Sequence, residues 1–99
     1  MIIVTGGVTT TPDNHDAILA LSLEHVKRSR TEPGCMAHNV HVDCENQNRL
    51  VFLEYWLDAA ALKTHFAVPA SLDFVENVRQ LASGTIEMAI FDSQPWPVS

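Results

Sequence analysis

Glu54, His65 and His38 are the residues through which this 99-residue chain could do chemistry. Glu54 stands between Phe52 and Trp56, two positions from each, so an extended strand points all three to one side. A carboxylate buried there costs several kcal/mol unless it is partnered. It needs backbone N–H groups or an arginine at a subunit seam to satisfy it, or a wet pocket in which it works. His65 lies just before Phe66, three residues after Leu62 and four before Pro69. A helix there carries its imidazole to the edge of the core near the strand ends. Neutral imidazole in that position can take a proton from an activated phenol or an acidic carbon. His38 and His41 are three apart on a strand, so they face opposite ways and cannot share a metal ion. His38 falls among Met36, Val40 and Val42, and either lines a cavity or is a core histidine with satisfied nitrogens. His15 and His25 are expected on exposed turns of the first helix, without a role.

The elements that must position these groups follow from periodicity. Residues 2–10 are rich in β-branched types and read as a first strand, with Gly6 and Gly7 marking a bulge or a close backbone approach. Thr11-Pro12 resembles a helix cap followed by proline at the first helical position. Residues 13–31 then carry Ile18, Leu19, Leu21, Leu23 and Val26 as a broad apolar stripe. Asp13 and Asp16 complement the positive end of that helix, and Lys27, Arg28 and Arg30 the negative end. Glu32-Pro33-Gly34 stops it. Residues 35–43 alternate as a second strand, 45–48 read as a turn, and 49–57 make a third strand. Asp58 can cap a short helix over 59–66. Pro69 begins another that runs to about residue 82, with Leu72, Val75, Val78 and Leu81 on its inner face and Gly84 ending it. Residues 85–91 form a fourth strand, and 93–99 are a proline-rich tail.

The order β-α-β-β-α-β predicts a ferredoxin-like α+β fold, one antiparallel sheet with its helices on one face. The whole chain, 1–99, is expected to be a single domain, with a core over 1–92 and a tail over 93–99. Val51, Leu53 and Tyr55 then leave the second sheet face apolar and uncovered. A second copy of the sheet is the simplest cover, so a homodimer through the open face, closing a dimeric α+β barrel, is expected. Hydrophobic residues at 46% and charged residues at 18% exclude disorder. A net charge of −6 argues against nucleic acid and anionic membranes as partners. The opening MIIVTGGV has no leader pattern and no later run approaches the ~18 apolar residues of a membrane span, so the cytoplasm is the expected compartment. Cys35 and Cys44 bracket the second strand, roughly 30 Å apart when extended, and are expected as reduced thiols. Dinucleotide, P-loop, GxSxG, CxxC and HExxH patterns are absent from the sequence. An enzyme here is expected to work without a bound organic cofactor and without a cluster of metal ligands.

Several motifs occur in a fixed order: Glu32-Pro33-Gly34-Cys35, His38, Asp43, Glu54-x-Trp56-x-Asp58, Ala61-Leu62-x-x-His65-Phe66, Pro69 and Phe74. This set resembles the antibiotic biosynthesis monooxygenase domain family, small dimeric α+β barrels that include quinol monooxygenase-like members. The resemblance implies that Glu54, Trp56 and His65 border a cavity between sheet and helices, with His38 where relatives often carry an aromatic residue. It also implies oxidation of a phenolic or quinol-type small aromatic by molecular oxygen directly, without flavin or metal. In that scheme His65 is the base or a hydrogen-bond partner of the substrate, and Glu54 orients it or is a second polar anchor. Trp56, Phe66 and Phe74 are apolar wall. Haem-degrading relatives carry a ligand histidine ten residues beyond the position of His65, and here that position is Val75. They also carry a tryptophan where His65 stands and a first-strand asparagine without counterpart here, so haem cleavage is not expected. Relatives that isomerise small hydroxyketone signals use the same glutamate and histidine positions. An isomerase, or a non-catalytic stress-response binding module, therefore remains an alternative to the oxygenase.

Overall fold

Strands and helices follow one another as β1 (Ile2–Thr9), α1 (His15–Ser29), β2 (Cys35–Asp43), β3 (Asn46–Trp56), α2 (Ala59–Ala67), α3 (Pro69–Leu81) and β4 (Ile86–Asp92). This is seen in a computed structural model that describes residues 1–82 and 86–98. The strands form one antiparallel sheet in the order β2-β3-β1-β4, the ferredoxin-like α+β arrangement. The second helical segment is two helices. Val68 takes an extended conformation that ends α2, and Pro69 opens α3 at its first turn. The Asp58 carboxylate caps α2 by accepting from the Ala61 N–H at 2.8 Å.

Side chains of the buried clusters come from one face of the sheet. Val8, Leu50 and Phe52 pack with Ile18, Val26, Val78 and Ala82. Ile2, Val4 and Trp56 pack with Leu62. Strand pairing explains the grouping, since Ile2 lies opposite Trp56, Val4 opposite Glu54 and Val8 opposite Leu50. Ile3, Val51, Leu53 and Tyr55 alternate to the other face and are half-buried, and Phe91 joins them from β4. No helix among the described residues is long and apolar enough to cross a membrane.

Several local expectations change. Helix α1 starts at His15, because the Asn14 side-chain oxygen turns back to the Thr11 N–H at 2.7 Å and leaves Pro12 in the preceding turn. The Asn14 amide also donates to the Leu81 carbonyl at 3.0 Å, tying the start of α1 to the end of α3. Strand β3 begins at Asn46, since Cys44 and Glu45 alone make the turn, with Asp43 Oδ1 accepting from Glu45 N–H at 2.8 Å. Pairing runs through Gly6 and Gly7 without a bulge. The irregularities are in β2, between Cys35 and Ala37 and between Val42 and Asp43. On α3 only Val78 of the four expected inner residues is buried. Leu72 and Val75 overhang a cavity that the helix spans without filling, and Leu81 is exposed. The expected stop at Gly84 and strand start at Thr85 lie outside the described residues.

Gly34 makes the entry into β2 possible. Its φ of 82° is in the left-handed region, a Cβ there would sit 2.6 Å from Ala61 Cβ, and its carbonyl accepts from Leu57 N–H at 2.8 Å. Gly34→Ala is expected to lower stability by about 1–3 kcal/mol. The measurement is urea unfolding, where the midpoint should fall at an unchanged slope.

Candidate functional site

Strand β3 delivers Glu54 to the helix-covered face, opposite Val4 on β1 and His38 on β2. Its carboxylate is buried and, among the described residues, is held by side chains and not by backbone groups or an arginine. Trp56 Nε1–H donates to Glu54 Oε1 at 2.9 Å. His38 Nε2 approaches the same oxygen to 3.2 Å, and His65 Nε2 lies 4.0 Å from it. Burial pushes the Glu54 pKa up, but the contacts from His38 and Trp56 and the nearby His65 outweigh it and hold the carboxyl below its usual value. Glu54 is ionised at neutral pH.

His65 sits on α2 and is oriented by Glu32, which has a place in the helix stop and in the ordered motifs but no expected role in the site. Its Nδ1 lies 2.9 Å from Glu32 Oε1. A carboxylate can only accept, so Nδ1 carries the proton and the Nε2 lone pair is left free. Burial lowers the His65 pKa and the contact with Glu32 restores only part of it, so the ring is neutral at pH 7. Glu32 is fixed in turn by Arg28 Nη1 at 3.1 Å, while Arg28 Nη2 donates to Ser71 Oγ at 3.1 Å and to His25 Nδ1 at 2.8 Å. One guanidinium thus joins α1, the loop before β2 and α3.

His25 is the clearest correction to the sequence reading, because it is buried at 7% exposure beside the site. Its ring centroid lies 5.1 Å from that of His38 and 5.4 Å from that of His65, and it stacks on Phe74 at 4.0 Å. The signal was present in the helical spacing: Ile18, Ser22, His25 and Ser29 follow at four, three and four residues and are all buried. Ser22 and Ser29 hide there by donating to the Ile18 and His25 carbonyls, each at 2.7 Å. Burial, the neighbouring histidines and Arg28 lower the His25 pKa to about 3. One ring nitrogen from each of His25, His38 and His65 lies within 4.8 Å of the others. Spacing along the chain gave no sign of this grouping, because α1, β2 and α2 bring these residues together only in the fold.

A cavity of about 670 Å³ opens between α3 and the sheet. Glu54, His65 and His25 reach it, and Phe52, Phe66, Leu72, Phe74 and Val75 give it an apolar lining. Gly6 contributes a stretch of wall without a side chain. His38 and Trp56 are fully buried behind that wall, with the Trp56 ring 4.6 Å from His65. A neutral imidazole with a free nitrogen, an ionised carboxylate and an apolar cavity together can bind a hydroxylated ring and remove its proton.

The family model described as antibiotic biosynthesis monooxygenase matches residues 1–77. The chain belongs to this family. Over 90 residues it is 34% identical to the uncharacterized Synechocystis protein sll1783, a match covering 91% of this chain and 61% of that protein. It is 26% identical over 88 residues to YcnE of Bacillus subtilis, covering 89% of this chain and 93% of YcnE. A crystal structure from Deinococcus radiodurans superposes with a TM-score of 0.94 over 100% of this chain and 98% of its own, at 18% identity, a likeness of fold. In this antibiotic biosynthesis monooxygenase domain, His25 binds protons more weakly folded than unfolded. Stability is therefore complete above its ordinary pKa of 6.5 and falls as the pH drops toward about 3. Each such proton contributes about 1.4 kcal/mol per pH unit. His25→Phe, which keeps a ring against Phe74, should flatten the slope by one proton when melting is followed between pH 7 and pH 4.

Proposed function

We propose that this family member is an oxygen-dependent monooxygenase acting on a small electron-rich aromatic, a phenol or quinol bound in the cavity of about 670 Å³. The observation that carries the reading is the placing of His65 and Glu54 together on the wall of a mostly apolar cavity that His25, Ser71, Arg79 and Glu87 also border, with the His65 Nδ1 proton held by Glu32. The free Nε2 takes a proton from a phenolic hydroxyl or from a carbon activated by the ring system. Glu54 accepts from a second substrate hydroxyl, and Phe66 and Phe74 hold the ring faces. His38 and Trp56 act from behind the wall, keeping Glu54 and His65 in place.

The electrons come from the substrate. Its anion gives one electron to molecular oxygen, and the resulting radicals join to form a C–O bond. The peroxide O–O bond then breaks as that carbon loses its remaining hydrogen, giving a carbonyl and hydroxide. A phenol with a ring C–H, or the ring methylene of its keto form, and molecular oxygen thus become a ring carbonyl and water, as His65 returns the first proton to the departing hydroxide. An anion rich enough to reduce oxygen needs neither flavin nor metal, and the protein contributes a base and a site that excludes bulk water. Two free thiols, Cys35 and Cys44, suit a reducing compartment such as the cytoplasm.

Chelator-treated protein should consume oxygen with at least one member of a hydroquinone and anthrone panel, above the rate of autoxidation. His65→Ala should lower that rate about 10²–10⁴-fold. Glu32→Gln, which loses the fixed tautomer, should lower it less and shift the pH profile. No uptake, uptake unaffected by His65→Ala, or turnover that continues without oxygen, as an isomerase would show, overturns the reading.

The same reading includes a homodimer. Ile3, Val51, Leu53, Tyr55 and Phe91 form an apolar sheet face opposite the helices. Ile3, Val51, Leu53 and Tyr55 are already half-buried, so covering each with a twin sheet gains a part of the roughly 1.5–3 kcal/mol that full burial of such a side chain provides. Sedimentation equilibrium should give a dimer, and Leu53→Arg should give a folded monomer. A wild-type monomer at high concentration would remove this part of the proposal.

A further inference from the structure

We infer that His38, His65 and Glu54, with His25 as a fourth donor, form a binding site for a divalent first-row transition-metal ion. The inference stands on His38. Its side chain is fully buried, and neither ring nitrogen has a hydrogen-bond partner among the described residues. The 3.2 Å approach of Nε2 to Glu54 Oε1 is too poorly aligned to be a hydrogen bond. Unpartnered polar atoms at such depth are costly, and an apolar residue in line with Val40 and Val42 would avoid that cost. An imidazole retained there points to a ligand that uses its nitrogen.

The surroundings are built as the outer shell of a metal site. His65 gives its Nδ1 proton to Glu32, which directs the Nε2 lone pair inward, and Glu54 is steadied by the Trp56 N–H. Glu54 Oε1 is 3.2 Å from His38 Nε2 and 4.0 Å from His65 Nε2. Donors around a tetrahedral zinc ion are roughly 3.3 Å apart, so the first pair already fits and the second must close by about 0.7 Å. A ring nitrogen of His25 lies within 4.8 Å of one on His38 and one on His65, while its Nδ1 accepts from Arg28. It can join by releasing that contact, since Arg28 keeps Glu32 and Ser71. The charges facing an incoming ion are the carboxylates of Glu54 and Glu32 and the Arg28 guanidinium. Imidazole with one carboxylate selects zinc, iron, cobalt or nickel over magnesium and calcium, which prefer oxygen.

The site itself goes beyond the proposed oxidation and does not depend on it. One consequence does rest on that reading: His65 Nε2 can give its lone pair to an ion or to a proton but not to both, so the ion would inhibit.

The test is calorimetric titration of the metal-stripped full chain with zinc sulfate, and with cobalt chloride followed by visible absorption and proton NMR. The expected result is one ion per chain, with cobalt giving visible bands and shifted imidazole N–H resonances. Binding should weaken about 10–100-fold or more in His38→Ala and Glu54→Gln, by analogy with the loss of even outer-shell partners. His41→Ala, on the opposite sheet face, should bind as wild type. Absence of saturable zinc binding in the wild-type chain overturns the site. So does binding that stays within about twofold in both variants, which would place the ion elsewhere. Should His38→Ala not fold, the isosteric Glu54→Gln and the wild-type cobalt resonances decide. Zinc binding without oxygen consumption leaves the site standing and rejects only the oxidative reading.

Discussion

Glu54 projects from the C-terminal end of β3 between two large aromatic residues, on the sheet face that the helices cover. Stripping a carboxylate of water in such a place costs several kcal/mol unless its oxygens are met by donors. Among the described residues the hydrogen-bond donor here is the Trp56 N–H, with the His38 imidazole 3.2 Å and the His65 imidazole 4.0 Å from the same oxygen. Each of these must be buried in its turn, and each brings its own polar atoms that need partners. Much of the helical layer is arranged around that requirement.

The chain of partners runs outward through His65 to Glu32, and from Glu32 to Arg28, which is partly exposed and can carry charge at the surface. Because Arg28 also holds Ser71 and His25, the first turn of α3 and the last turns of α1 are fixed relative to His65. The base is therefore held in one tautomer and one orientation before any ligand arrives. Helix α3 meets the core through Val78, while Leu72 and Val75 stand over open space. The cavity lies between α3 and the sheet, with these two side chains in its lining.

Membership of the antibiotic biosynthesis monooxygenase family and the site geometry bear on different questions. The family match gives the fold and a general class. The geometry gives an imidazole that is neutral at pH 7, a carboxylate that is ionised beside it, and apolar room for a ring. Both are compatible with removal of a proton from a hydroxylated aromatic. The cluster of three buried histidines is a separate feature, since a single base and one anchor would suffice for that step.

The amino-acid sequence determined the order of elements, the antiparallel sheet and the faces of its strands, because alternation on strands and caps at helix starts are local properties. It placed Glu54 with Phe52 and Trp56, and it separated His38 from His41, by the same two-residue period. Its errors arose where the choice was not local. Helix α1 offered two overlapping stripes, and the one that is buried includes Ser22, His25 and Ser29, small or polar residues that a hydrophobicity pattern discounts. The Glu32–His65 contact joins residues 33 apart in the chain, and no spacing rule reaches that far. Only the tertiary structure decided that four side chains from α1, β2, β3 and α2 meet at one point. Desolvation and hydrogen bonding between distant elements set that meeting, and those act through space and not along the chain.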